Sequence, residues 1–304
     1  MRVDPSYVTN LVNALDQAQS NTQQFSSELS SGVRVTSLSS DPLAAGENVL
    51  LLNQMQQDDS FTQSSSLVTG QLQVADSALG QVTTQLTQAI SLATSANNGT
   101  MNASDRQSIS NQLAGIRSEV LALANSSYQG QYIFAGGQTA TAPFSLSTAA
   151  SPATVTYIGD GDVNSPETPN GQRINLNLPG DQIFNGPGAS SVFAALNSLI
   201  ADYSNANVNT AQAVSDTTAP GTALNYVSQQ RVTVDNSLTQ LTAATTAVAS
   251  EEAQLTAAQT TLMQADMAQV STQLSLSQTQ QTALEDVIVQ IGSGTLFDKM
   301  PVGG

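Results

Sequence analysis

Both ends of this chain carry the same narrow apolar seam. Between residues 8 and 29, Val8, Leu11, Leu15, Ala18, Phe25 and Leu29 recur at steps of three and four, with Thr22 the polar member of the series. Between residues 270 and 291, Val270, Leu274, Leu284, Ile288 and Ile291 repeat the pattern, interrupted by Ser277 and Gln281. Steps of three and four bring side chains onto one stripe of an α-helix. A stripe this thin seats against a partner helix rather than a thick globular core. Two such helices at opposite ends predict ends that pair with each other, or with copies of themselves, in an assembly.

Composition agrees with thin helical layers. Among 304 residues, aromatics make up 4% and Trp is absent, so Ala, Leu and Val must do the packing. Seven Lys+Arg against 23 Asp+Glu give a net charge of -16, and Lys299 is the single lysine. A chain this acidic is repelled by nucleic-acid phosphates and by anionic membrane surfaces, which excludes both as direct ligands. With no Cys and no His, thiol chemistry, disulfides, imidazole acid–base work and the usual zinc sites are ruled out. No cofactor or metal is expected. Residues 1–10 lack the apolar stretch of a cleaved signal peptide, so export would need a route that leaves the chain uncut.

The local signals predict a mainly α fold: a long antiparallel helical bundle or coiled coil of N- and C-terminal helices, with a small β-rich insert in the middle. The expected segments are 1–42, 43–129, 130–220, 221–265 and 266–304. The first helix covers 6–30 and stops at Ser30-Ser31-Gly32. Asp41 caps the second and Pro42 opens it. That helix runs to Asn97-Asn98-Gly99 on a seam from Phe61 through Leu72, Leu79 and Leu86 to Ala93. Ser104 is the expected cap of a third, on Ile109, Leu113, Ile116, Val120 and Leu123. Strands are expected at Gln131–Ala135, Ala153–Ile158 and Arg173–Leu178, then a short helix over 190–203. The last helix begins after Pro220-Gly221 and continues to Ile291, with a register slip near Met263.

Candidate chemistry is sparse. Asp160, Asp162 and Asn164 open like a calcium loop, but Ser165 stands where that loop needs Gly and no acid closes it, so a solvated turn is expected. Glu251-Glu252 and Glu285-Asp286 are neighbours about 100° apart on a helix and cannot converge on one bond. Tyr132, Ile133 and Phe134 form the densest aromatic spot and read as a strand entering the insert's core. Arg34 lies in a charge-poor connector, where it either bridges to a carboxylate of another element or subunit or stays freely solvated. The candidate functional residues are therefore Val8, Leu11, Leu15, Phe25, Leu29, Arg34, Val270, Leu274, Leu284, Ile288 and Ile291, as assembly seams.

A family resemblance joins these pieces. Leu29-Ser30-Ser31-Gly32-Val33-Arg34-Val35-Thr36-Ser37, then Ser40-Asp41-Pro42-Leu43-Ala44-Ala45-Gly46, resembles the N-terminal signature of the bacterial flagellin family. Three features look like the branch that joins hook to filament: Asp41-Pro42; Gly130-Gln131-Tyr132-Ile133-Phe134-Ala135-Gly136 with Pro143-Phe144; and an ending through Ala265-Asp266-Met267-Ala268, Gln281-Thr282-Ala283-Leu284 and Leu296-Phe297-Asp298. The tail Lys299–Gly304 departs from it. The resemblance implies a non-enzymatic adaptor of the bacterial flagellum, located outside the cell after uncleaved type III export. It implies a ring of copies, with the first hook-associated protein on the hook side, flagellin on the filament side, and a cytoplasmic export chaperone beforehand. The alternatives are a flagellin filament subunit and an exported coiled-coil binding module.

Overall fold

Capping chemistry sets where the helices begin and end. The computed structural model describes residues 5–35, 41–96, 102–168, 171, 173–175, 177–188, 191–204 and 217–293. Helix α1 (Pro5–Ser31) ends at Gly32, whose φ of +71° lets its N–H reach the Glu28 carbonyl at 2.8 Å. Helix α2 (Pro42–Ala96) starts where the Asp41 carboxylate accepts the Ala44 N–H at 3.0 Å, with Pro42 at a position that needs no N–H. Helix α3 (Ala103–Ala124) is capped by Asn102 rather than by Ser104. The Asn102 side chain accepts from the Asp105 N–H, and the Asp105 carboxylate accepts from the Asn102 N–H. Two closed donors at Asn102 outweigh the single bond that Ser104 offers.

Two antiparallel hairpins follow: β1 (Ser127–Tyr128) with β2 (Gln131–Tyr132), and β3 (Phe144–Ser147) with β4 (Thr154–Tyr157). Then come α4 (Gly180–Phe184), which the pattern did not signal, and α5 (Val192–Ser204). The strand expected over Gln131–Ala135 is shorter, because Ile133 to Ala135 turn inward as buried chain. The strand expected over Arg173–Leu178 is absent among its described residues, where Arg173 makes an isolated bridge to Glu167 and Ile174 is buried.

Helix α6 (Thr218–Met263) begins ahead of Pro220, in whose first turn a missing N–H costs nothing. It does not run on to Ile291. It stops at Met263, and α7 (Met267–Ser293) starts afresh. The expected register slip is thus a full break. Gln264 pairs across to Val33 in a two-residue bridge, and Asp266 accepts the N–H groups of Ala268 (3.0 Å) and Gln269 (3.1 Å) as a cap. The expectations for Thr36–Ser40, Asn97-Asn98-Gly99, Gly294-Thr295, Leu296-Phe297-Asp298 and Lys299–Gly304 lie outside the described residues.

The chain divides into two units, Gln57–Ser250 and Met1–Gln56 with Glu251–Gly304. The first closes a real core. Leu72, Leu79, Val82 and Leu86 of α2 meet Leu113 and Val120 of α3 and Val227, Val234 and Leu241 of α6. At its end sits an aromatic cluster in which Phe184 contacts Phe134 (5.4 Å), Phe144 (5.3 Å) and Phe193 (5.9 Å). Arg231 spans from α6 to Asp76 of α2 with two hydrogen bonds, and the Tyr203 hydroxyl donates to the Ala93 carbonyl at 2.9 Å. Buried Arg117 on α3 donates to Ala153 O and to Asn197 Oδ1 (2.8 Å), and burial lowers its pKa.

The difference in burial makes a measurable contrast. Leu113→Ala, at a fully buried site, is expected to remove about 2–5 kcal/mol from urea-induced unfolding followed by circular dichroism. Leu284→Ala, on partly exposed α7, should shift the same main transition by less than about 0.5 kcal/mol, the range of surface changes.

Candidate functional site

The unit built from the two chain ends has a different economy. Its helices α1 and α7 run antiparallel side by side. None of the residues in the main hydrophobic cluster belongs to it. Of the seam residues expected from sequence, Val270 is buried, Val8 is 40% exposed, and Leu11, Leu15, Phe25, Leu29, Leu274, Leu284, Ile288 and Ile291 are only partly covered. Tyr7, Val12, Leu276 and Val289 stand out as well, at 52%, 43%, 57% and 67% exposed. On α2 the same unit exposes Leu43 (73%) and Leu50 (69%), one heptad apart. One partner helix covers one flank of a seam and leaves the other in water. The apolar stripe is therefore only half covered.

Two of the seam's polar members meet each other, while Gln281 bonds to Glu285 on its own helix. The Thr22 hydroxyl lies 3.0 Å from that of Ser277, and both lie within hydrogen-bond reach of the Ala18 carbonyl, at 2.8 and 3.0 Å. Sequence reading treated Thr22 and Ser277 as interruptions. The signal that pairs them is their position, Thr22 fourteen residues after Val8 and Ser277 fourteen before Ile291.

The break between helices is tied by backbone. The Arg34 N–H donates to Met263 O at 2.7 Å, and the Ala265 N–H donates to Gly32 O at 2.9 Å. The Arg34 guanidinium adds two bonds, to Asp41 Oδ2 (2.9 Å) and to the Leu262 carbonyl (3.2 Å). One side chain therefore holds the N-cap of α2 and an orphan carbonyl in the last turn of α6. Nearby, Gln259 donates to Asn48 at 2.9 Å. The Arg34–Asp41 pair is exposed, so its contribution is geometric more than energetic. Arg34 belongs to this junction and not to the α1–α7 seam. Sequence reading missed Gln264 and the capping role of Asp266, although an Asp ahead of an apolar-periodic run is a recognisable start signal.

The remaining candidates are structural turns. Asp160 Oδ1 accepts the N–H groups of Gly137 (2.6 Å) and Asp162 (3.2 Å), and Asn177 closes the loop by accepting from Asn164 N at 2.7 Å. Among the described residues, no group of three or more His, Cys, Asp or Glu side chains is placed to hold a metal ion. Glu285 accepts from Gln281 on its own helix at 2.9 Å. Burial, with Asp160 nearby, pushes the Tyr157 hydroxyl up to about 12, so it stays protonated while donating to Asp160 O at 2.6 Å. Among the described residues, no helix is long and apolar enough to cross a membrane.

The arrangement is a helix pair with one flank open to solvent. Residues 7–139 match the family model described as the bacterial flagellin N-terminal helical region. Flagellar hook-associated protein 3 of Escherichia coli K12 is 30% identical over 251 residues, covering 76% of this chain and 77% of that protein. The chain belongs to the flagellin family, in its hook-associated protein 3 branch. Solved structures of flagellar proteins share the fold. A flagellar hook-associated protein from Vibrio parahaemolyticus superposes with a TM-score of 0.65 at 19% identity, over 73% of this chain and 99% of that one. The flagellar junction protein FlgL of Legionella pneumophila gives 0.56 at 14% identity, over 72% and 100%. As a hook-associated flagellin relative, the chain is a structural component of the flagellum.

The junction contains one carboxyl whose titration its partners shift. The Ala44 N–H, and after it Arg34, hold the Asp41 carboxyl below its ordinary value of 3.8. A carboxyl depressed by folding stabilises above its unfolded pKa and loses that effect as pH falls through the folded value. Between about pH 5 and pH 3, hydrogen-exchange protection of the Arg34 amide, corrected for intrinsic rate, should therefore fall. In Asp41→Asn it should start lower and lose this dependence.

Proposed function

We propose that this chain is the repeating subunit of the adaptor ring that joins the flagellar hook to the flagellin filament. The observation that carries the reading is the division of burial. Residues Gln57–Ser250 hold a closed core, whereas α1 and α7 keep half of each seam open to solvent. A helix pair with an open flank gains stability by adding further helices. In a closed ring each copy offers one flank and receives another, so the contact is heterologous and leaves no seam bare.

The finer partners follow from this reading. Neighbouring copies cover the α1–α7 flanks. The first hook-associated protein abuts one face of the ring and flagellin the other. Before assembly the open seams need cover, which is the task of an export chaperone in the cytoplasm. The ring itself acts outside the cell, after export without cleavage. The role needs no catalytic group, and thick cores would hinder passage of the ends through a narrow channel.

Leu15→Asp and Ile288→Asp place a charge in the seam without touching the core of Gln57–Ser250. Each should leave the main thermal transition within about 2 °C of the parent and abolish motility, with flagellin shed into the medium. Cells that swim normally with either variant would overturn the seam's role. A filament-subunit reading is separated by polymerisation: purified chain that grows into long filaments on its own would favour it over the adaptor.

A further inference from the structure

We propose that Thr22 and Ser277 are specificity-determining residues: they fix which helix α1 pairs with, and in which register. Ser277 is 4% exposed, within the α1–α7 contact. Its hydroxyl, that of Thr22 and the Ala18 carbonyl form a triangle with sides of 2.8, 3.0 and 3.0 Å. Each hydroxyl owns one proton, so two protons serve three contacts and each oxygen is satisfied whichever way the Thr22–Ser277 contact runs.

Ser277 differs from its neighbours. On α7, Ser271, Thr272, Ser275, Thr279 and Thr282 all donate back to the carbonyl four residues earlier. Ser277 instead reaches across to Ala18 O on α1. Its bond exists only in this pairing and this register.

Alternative pairings lose it. The Val33–Gln264 bridge and the Thr22–Ser277 contact put both residues at one level of the antiparallel pair. A slip of one heptad in one direction faces Ser277 with Phe25 and Leu29; in the other it faces Leu11 and Leu15. The apolar contacts of the slipped states are otherwise alike, since both seams repeat every three and four residues. A seam of leucines alone would leave register to the two backbone bonds at the junction, Arg34 N–H to Met263 O and Ala265 N–H to Gly32 O. A single polar position in such a seam sets register and partner, and it does so at some cost in stability. Two open-flanked helices that must find their own chain first, and other copies second, need such a rule.

The chain contains no cysteine, so paired cysteines report register directly. Ser26 lies seven residues before Val33 and Ser271 seven after Gln264, at one level; Gln278 is one heptad further along. In the purified full-length chain, Ser26→Cys with Ser271→Cys should form an intramolecular disulfide about tenfold faster than Ser26→Cys with Gln278→Cys, the ratio for one lost buried hydrogen bond. Adding Thr22→Leu and Ser277→Leu should bring the two rates within about twofold, with intermolecular disulfides appearing and no loss of thermal stability. Thr22→Ser should restore the preference. A parent chain without preference, or a leucine variant that keeps it, overturns the proposal. So does a collapse of the ratio that comes with a lower melting temperature, which a merely structural role would give. None of these readouts requires a hook or a filament, so they stand apart from the adaptor assignment.

Discussion

The structure depends on how far one apolar stripe can be covered. Where three helices and a loop domain converge, stripes on α2, α3 and α6 close on each other and leave Leu79, Val82, Leu86, Leu113 and Val120 without exposed surface. Where two helices meet alone, as α1 and α7 do, each stripe keeps an open flank. The side chains are of similar kind in both places. The number of neighbours differs, and with it how much of each stripe is buried.

The helix break at Gln264 to Asp266 serves the same division. It ends α6 by giving its terminal carbonyls to Arg34, and it starts α7 with a fresh cap on Asp266. A continuous helix would carry α7 away along the axis of α6. The break lets α7 turn onto α1, with Gly32 and Val33 making the matching turn on the other chain end. Arg34 is placed to hold both turns because it follows the glycine that ends α1 and precedes the aspartate that begins α2.

Much of this was readable from residue order, for physical reasons that also explain the misses. Three–four periodicity is a property of the chain itself, so α1, α2, α3 and the seam faces follow from it directly. The family resemblance rests on short motifs at the helix ends, where backbone geometry restricts the choice of residue. Strands of two to four residues carry too little pattern to fix their limits, and Arg173–Leu178 looked like a strand because apolar residues there serve a buried loop instead. The break after Met263 left a one-position slip in the pattern, which has the same signature as a change in supercoil. Thr22 and Ser277 were visible as blemishes in two separate seams; that they are one contact depends on antiparallel pairing, which periodicity does not specify.

The central claim is that α1 and α7 are completed only by neighbouring subunits. Hydrogen–deuterium exchange read by mass spectrometry, on the purified chain and on the same chain in isolated flagella, tests it most directly. The account predicts that peptides from α1 and α7 exchange rapidly in the purified chain and slow by about a hundredfold or more in flagella, while those around Leu79 and Leu113 are slow in both. Protection of α1 and α7 in the purified chain equal to that around Leu113 would contradict it.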